Sequence, residues 1–260
     1  MNIINLAHGS MIMMGAYTTY SLFRIAGIDP FLSIPISVAI FFLVGFMAQK
    51  YIVNRIMMTS VLMSMLMTYG FELILVNFVL VVWKGDYRSV ITGYSQAAFV
   101  LGDVVIPYVR VAIFIVGFLL TLLLYLFMTY TKTGNAIRAT ALDKEAALLV
   151  GVDIKRVYAL TYGIASALAA AAGSLLPVVY TISPAMEGPL LGKAFIIAVL
   201  GGLGNTTGAI VGGLTLAIAE SLGVVLLGPS YQVAVGFFMF LLVLVFRPHG
   251  LVGKKFYAEL

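Results

Sequence analysis

The chain has no cysteine and only two histidines, His8 and His249, among its 260 residues. Disulfide bonds and thiolate metal sites are therefore excluded, and two histidines so distant in sequence do not indicate a metal site. The sequence also lacks a G-x-x-x-x-G-K-[ST] phosphate-binding loop, so the chain does not hydrolyse nucleotide itself. It contains no set of nucleophile, base and orienting residue that would support an enzyme of the membrane interior.

Charged residues are scarce and apolar residues are abundant. Charged residues make up 10% of the chain, against roughly 25% in soluble domains. Apolar residues make up 62%, against roughly 45–50%. A helix that crosses a hydrocarbon core of about 30 Å needs ~20 apolar residues. The composition therefore predicts an all-α, polytopic transmembrane helix bundle of about seven to eight segments, built as a single domain over residues 1–260.

Eight apolar runs support this prediction. They cover residues 6–26, 31–53, 60–83, 107–130, 157–182, 190–203, 207–227 and 231–246. The sixth run, Leu190–Leu203, has only about 14 residues, a length more typical of a re-entrant helix or a packed half-span than of an ordinary span.

The polar interval Thr131–Arg156 separates the fourth run from the fifth. It is the most densely basic part of the chain, with Lys132, Arg138, Lys144, Lys155 and Arg156. Its middle, Asn135–Val150, is rich in Ala and Leu, and Gly151 follows where a helix end favours a left-handed residue. The pattern predicts a short helix that lies against the membrane surface and is accessible to a cytoplasmic partner.

Charge distribution sets the predicted orientation. With residues 131–156 inside, ten Lys and Arg residues fall in inner loops and five in outer ones, among them Lys193. Basic residues are enriched in cytoplasmic loops, so this orientation is favoured over its reverse. It makes residues 84–106 an external loop, in which Ser89–Thr92 is a β-prone piece.

Glu72 and Glu220 are the only acidic residues placed deep in apolar segments by the sequence. A carboxylate at bilayer depth costs at least ~2.5 kcal/mol, so it needs a polar cavity, a partner or a proton. Two interpretations stay open: the carboxyls line a solute path or coupling site, or they make hydrogen bonds between helices.

Several glycines and small residues occur at four-residue spacing, including Ala165, Ala169 and Gly173, and again Gly204, Gly208 and Gly212. This spacing favours close packing of helices in lipid. Gly201, Gly202, Gly204 and Asn205 form either a broken-helix substrate site or a simple glycine turn between helices. Asn5, His8 and Gly9 either line a solute path or cap the start of a helix.

Residues 145–151, Glu-Ala-Ala-Leu-Leu-Val-Gly, match the E-A-A-x-x-x-G core of the cytoplasmic loop by which permeases of ABC importers dock on their ATPase subunits, which is the first half of the full family signature. The second half differs, because Thr161 and Gly163-Ile164 replace the expected Ile and Leu-Pro pair. Further elements in the same order are Asn5-Leu6-Ala7-His8-Gly9, Lys193-Ala194-Phe195, residues 199–205, Glu220 and Arg247-Pro248. Together these resemble the Liv-type permeases for branched-chain amino acids.

The resemblance implies a permease domain of a bacterial or archaeal cytoplasmic membrane that carries branched-chain or other apolar amino acids. Its partners would be a second permease, similar or identical, two cytoplasmic ATPases that use ATP, and an external substrate-binding protein. No cofactor and no nucleic acid are expected. The residues expected to couple to the ATPases are Arg138, Glu145, Ala146, Ala147 and Gly151. The candidate substrate path comprises Asn5, His8, Gly9, Glu72, Gly201, Gly202, Gly204, Asn205 and Glu220.

The sequence leaves two alternatives open. One is a permease for urea or short amides within the same class, and the other is a secondary transporter or channel that works alone with Glu72 and Glu220 as proton sites. The family normally has another hydrophobic segment before the Asn-x-Ala-His-Gly element, which begins here at Asn5.

Overall fold

The computed structural model describes residues 5–56, 61–102 and 104–252. Within these ranges the chain is mostly helical and has only one short β hairpin, which confirms the predicted all-α class. The helices are α1 His8–Ala26, α2 Pro30–Met47, α3 Asn54–Ile56, α4 Val61–Trp83, α5 Tyr108–Tyr130, α6 Lys132–Leu142, α7 Lys144–Leu149, α8 Ile154–Leu175, α9 Glu187–Gly201, α10 Thr206–Leu227 and α11 Gln232–Phe246. The strands β1 Ala98–Leu101 and β2 Val104–Pro107 form an antiparallel hairpin.

Seven helical stretches among the described residues are long and apolar enough to cross a membrane. They are Pro30–Val53, Leu62–Trp83, Tyr108–Tyr130, Ile154–Val178, Pro184–Gly201, Thr206–Leu227 and Pro229–Phe246. A further long helix, α1, has 19 residues and is less apolar, but ten of them are buried. A helix packed among other helices meets little lipid, so its polar side chains can face the bundle interior. The count agrees with the predicted seven to eight segments.

Close contacts group the chain into two compact units, Met1–Gly188 and Pro189–Leu260. The prediction of one permease domain over residues 1–260 stays a prediction. In the first unit, α8 is the central helix and packs against α1 and α2. A Cβ atom added to Gly173 would overlap the Ile12 carbonyl, and one added to Gly15 would overlap the Ala170 backbone. These contacts confirm the packing interpretation of the small residues in the fifth apolar run.

The second unit contains most of α9, all of α10 and α11, and the turn between α9 and α10. Gly201 and Gly208 face each other so closely that a Cβ on either would overlap the backbone of the other. Ile196, Leu200 and Leu216 form the buried core beside this contact. The turn itself therefore packs two antiparallel helices tightly together.

Two groups of loops meet within the first unit. Arg88 and Ile182 exchange backbone hydrogen bonds of 2.9 and 2.7 Å, and the Val90 amide donates to the Pro177 carbonyl. At the other group, Asn54 Nδ2 donates to the Lys155 carbonyl at 3.1 Å. The predicted topology places the first group on the outer side and the second on the inner side, so loops assigned to one side contact each other. The absolute orientation stays a prediction from charge.

The structure corrects one local prediction and locates the sixth apolar run. Residues Ser89–Thr92 are not a strand, because Arg88 and Val90 bond to the segment after α8 and not to a neighbouring strand. The hairpin lies further on, at β1 and β2. The sixth apolar run lies largely in α9, a continuous helix of 15 residues without internal reversal, and the chain turns back only after Gly201. The alternative of a re-entrant helix or packed half-span for this run stays a prediction.

Tyr94 ties the external loop to the start of α2. Its hydroxyl donates to Asp29 Oδ2 at 2.7 Å, and Asp29 Oδ1 accepts from the Phe31 amide as the N-terminal cap of α2. Burial and the hydrogen bond to Asp29 raise the pKa of Tyr94 to about 12. The neutral, protonated Tyr94 hydroxyl therefore makes the hydrogen bond that fixes the loop to α2.

This contact predicts a pH dependence of stability. Because the pKa of Tyr94 is raised on folding, its contribution is complete below about pH 10 and is lost as the pH rises towards the folded-state value. We expect the gap in unfolding temperature between the wild type and Tyr94→Phe to narrow above pH 10. Thermal unfolding in detergent over this range measures the gap, and a constant gap would contradict the assignment.

Candidate functional site

The polar interval Thr131–Arg156 folds as two short helices and not as the single helix predicted over residues 135–151. Asp143 interrupts it, with φ −147° and ψ 111°. Its carboxylate accepts hydrogen bonds from the Glu145 and Ala146 amides at 2.9 and 3.0 Å. Asp is a strong helix cap, and this local bond competes with continuation of α6. The prediction of one helix was wrong because it treated Asp143 as an interior residue.

Both ends of the coupling segment, defined as α6 and α7, are fixed by local bonds. At the first end, Thr131 Oγ1 accepts from the Gly134 amide and donates to the Phe127 carbonyl, which joins α6 to the end of α5. At the second end, Gly151 has φ +83°, the left-handed conformation that the sequence predicted there. Asp153 then caps α8 through the Arg156 amide.

The residues predicted to couple to an ATPase have distinct environments. Ala147 is 3% exposed and packs with Ile154 and Tyr158, so it anchors α7 on α8. Glu145 and Ala146 are exposed on α7. Arg138 is exposed on α6 and donates to Asn135 Oδ1. The structure therefore brings the predicted set to one segment and leaves its charged members accessible.

Apolar side chains on this segment are also exposed. Leu149 is 88% exposed, Val150 78% and Leu142 77%. Beside them is a cavity of about 220 Å³ between the segment and the starts of α3 and α8, lined by Asn54, Lys144, Leu148, Asp153, Ile154, Lys155 and Tyr158. Exposed leucines next to a concave surface are typical of a site that a protein partner covers.

Removal of the cap tests how α7 is held. Replacement of Asp143 by Ala should destabilise the segment by about 1 kcal/mol, the usual cost of losing such a cap. Hydrogen exchange at the Glu145 and Ala146 amides should become faster, and Asp143→Asn, which retains an acceptor, should leave it nearly unchanged. Equal exchange in the Ala variant and the wild type would show that the cap does not hold this turn.

The candidate path residues of the first unit lie at the start of α1 and in α4. Asn5 Oδ1 accepts from the Ala7 amide at 3.1 Å and from the Tyr162 hydroxyl at 2.9 Å, so it links the start of α1 to α8. His8 is half-buried and Gly9 is buried in the first turn of α1. These contacts correspond to the cap interpretation, and a role in the path stays a prediction.

Glu72 is half-buried in α4, and its carboxyl is a neighbour of the Glu187 carboxyl. Glu187 begins α9, and its Oε1 is enclosed without a hydrogen-bond partner among the described residues. Glu187 was not predicted as a site residue because it lies just before the sixth apolar run. The two carboxyls repel each other when both are charged.

The glycine turn of the second unit is filled by protein contacts. Gly202 and Gly204 have φ values of +96° and +81°, which only glycine adopts easily. Asn205 caps α10 through the Thr207 and Gly208 amides, and its Nδ2 donates to the Val252 carbonyl at 3.1 Å. Gly201 lies against Gly208 of α10. A substrate role for this turn stays a prediction.

Glu220 is 8% exposed and forms a polar cluster with Lys193 and Gln232. Its Oε2 accepts from Lys193 Nζ at 2.7 Å and from Gln232 Nε2 at 2.9 Å. Glu220 lies fifteen residues after Asn205 on α10, a distance of about 22 Å along the helix. The structure therefore does not bring Glu220 to the glycine turn.

Lys193 was not predicted as a partner of Glu220, because it was assigned to an outer loop although it lies in the sixth apolar run. The usable signal was the presence of two lone, opposite charges in consecutive apolar segments, because a buried charge requires a partner.

Comparison with known proteins identifies the family. Residues 1–245 match the family model described as branched-chain amino acid transport system / permease component. The chain is 34% identical to the high-affinity branched-chain amino acid permease protein BraD of Pseudomonas aeruginosa and 33% identical to LivH of Escherichia coli K12, over 96% of this chain and 86% of each relative. It is 30% identical to the probable permease LivH of Methanocaldococcus jannaschii, over 97% of this chain and 84% of the relative. No solved structure matches the chain.

The family match covers nearly all described helices, and the relatives are transport permeases rather than enzymes. The chain therefore belongs to the branched-chain amino acid permease family and is a multi-pass protein of the cytoplasmic membrane.

Proposed function

We propose that this chain is the membrane-spanning subunit of an ATP-driven importer for branched-chain amino acids. The substrate class follows from the names of its relatives in Pseudomonas aeruginosa, Escherichia coli and Methanocaldococcus jannaschii. The importer would also contain a second permease, two ATPases on the cytoplasmic side and an external binding protein. ATP would be used by the ATPases, and the chain itself would need no cofactor.

The observation that carries this proposal is the construction of α7. One small residue, Ala147, fixes it to α8, while Glu145 and Leu149 remain exposed. A surface that is anchored on one side and exposed on the other can take force from a partner and pass it on. Since α8 packs against α1 and α2, displacement of α7 would reach the centre of the first unit.

In the proposed mechanism, closure of the ATPases displaces α6 and α7 together and tilts α5 and α8. Thr131 and Gly151 define the joints at the two ends of the coupling segment. The ATPases can shift the permease between two conformations only if they bind one of them more tightly. The candidate path residues Asn5, His8, Gly9 and Glu72 lie in the same unit as α8 and would respond to its movement.

Reconstitution of the complete importer in proteoliposomes tests the proposal. With ATP inside and loaded binding protein outside, leucine should accumulate, and uptake should stop when ATP is omitted. Leucine uptake by the chain alone, driven by an ion gradient, would overturn the proposal in favour of a stand-alone carrier. Uptake of urea and not of leucine would instead assign the chain to the amide permeases.

A further inference from the structure

Glu220, Lys193 and Gln232 come from three different helices of the second unit, α10, α9 and α11. Glu220 Oε2 receives both hydrogen bonds, from the ammonium at 2.7 Å and from the amide at 2.9 Å. Glu220 is buried and Lys193 is half-buried, and replacing an ion pair within a protein by apolar residues often costs no stability. The need for stability alone therefore does not explain an ion pair in an apolar helix bundle, and ionisable groups in such places commonly mark a ligand path.

The cluster has hydrogen-bonding capacity that the protein does not use. A lysine ammonium carries three N–H donors, and only the one to Glu220 is engaged among the described residues. The Lys193 side chain is 38% exposed. Glu220 Oε1 accepts no hydrogen bond from the described residues, and it is not sealed within the protein. A free cationic donor and a free anionic acceptor thus lie side by side.

The surroundings of the free oxygen favour an apolar ligand with a small charged end. A Cβ atom at Gly236 would stand 3.2 Å from Glu220 Oε1 and 3.3 Å from Leu216 Cδ1, so the glycine keeps a methyl group away from both. Leu216 belongs to the apolar core of this unit. The free carboxylate oxygen and a Leu216 methyl group therefore both lie beside Gly236.

Glu220 and Gln232 lie near the end at which α10 is joined to α11, so a ligand could reach them from that end. Glu220 lies seven residues before Leu227, the last residue of α10, which is about 10 Å of helix. Gln232 is the first residue of α11, at the same end of the helix pair. In the predicted topology this is the external end, to which a binding protein would deliver its ligand.

We infer that Lys193 and Glu220 form a binding site for the zwitterionic head of an α-amino acid. Lys193 donates to the ligand carboxylate, Glu220 Oε1 accepts from the ligand ammonium, and the aliphatic side chain lies towards Leu216. When no ligand is bound, the two residues neutralise each other. This inference rests on the proposed function, since it specifies how a permease for apolar amino acids holds its cargo.

Calorimetry on the detergent-solubilised importer, without the binding protein, tests the site. Leucine should bind, and 4-methylpentanoate, which lacks the ammonium, should not. Gly236→Ala keeps both charged residues but places a methyl group beside Oε1, and it should weaken leucine binding at least tenfold. Glu220→Gln should do the same. Gly213→Ala on α10 is the matched control, because its Cβ would have ordinary contact, 3.9 Å from Ile197 Cγ2, and it should bind leucine normally.

Several results would overturn the site. They are unchanged leucine binding in Gly236→Ala, equal binding of 4-methylpentanoate, or no leucine binding by a wild-type importer that still takes up leucine with ATP. The last result would leave the proposed function intact, whereas absence of ATP-driven leucine uptake would remove the proposed function itself. Retention of the ATPases on purification shows that each variant is folded, and Gly236→Ala decides the question if Glu220→Gln fails to assemble.

Discussion

Replacement of Gly173 by valine should prevent the accumulation of folded protein. In α8, a side chain at this position would overlap the Ile12 carbonyl of α1. Backbone atoms cannot rotate away as side chains do, so the two helices would have to separate, and the contact between Gly15 and Ala170 would be lost with them. We expect a loss of about 3 kcal/mol or more, the upper range for overpacking a core. Yield and thermal stability in detergent measure it.

Gly117→Val in α5 is the matched control. It introduces the same side chain into a membrane helix, but nothing lies within 4 Å of a Cβ at Gly117. The change in stability of this variant reports only the helix propensity of valine relative to glycine, because its Cβ overlaps no other residue. If the two variants were equally stable, the close approach of α1 and α8 would not be a feature of the protein.

Reversal of the charge at Glu145 should abolish transport without unfolding the chain. Glu145 is exposed on α7, so Glu145→Arg removes no internal contact of its side chain. Loss of a charged interface contact commonly weakens association by at least about tenfold. We expect the ATPases to be lost during purification and ATP-dependent leucine uptake to fall at least as much.

Arg24→Glu provides the comparison for this variant. Arg24 is also exposed, but it lies in the last turn of α1, on the predicted external side. It should retain the ATPases at the wild-type level. A Glu145→Arg importer that also keeps its ATPases and transports normally would exclude α7 as the docking surface.

The sequence was sufficient to predict most of the helix bundle, because that part depends on long local patterns. Apolar runs of span length predicted the helices, and the spacing of Ala169 and Gly173 predicted the tight packing of α8. Gly151 was predicted to be left-handed from its position after an Ala- and Leu-rich stretch, and its φ of +83° confirms this. Each of these features is encoded within one continuous stretch of the sequence.

The parts that were missed depend on contacts between residues distant in sequence or on competing local bonds. The ion pair of Lys193 with Glu220 joins residues 27 positions apart, and no pattern within either helix indicates it. Asp143 can continue a helix or cap the next one, and the sequence does not decide between the two. The segment after Arg88 pairs with residues near Ile182, so its β-branched residues do not form a strand of the hairpin.

ATPase docking and the proposed import mechanism both require the coupling segment to face the cytoplasm, and a single thiol can test this directly. The chain has no cysteine, so Leu149→Cys, at a position 88% exposed, creates a unique label site. A membrane-impermeant maleimide should label inverted vesicles, should label them less when the ATPases are bound, and should not label intact cells. Labelling of intact cells would place the segment outside and contradict the orientation, the ATPase docking and the proposed import mechanism.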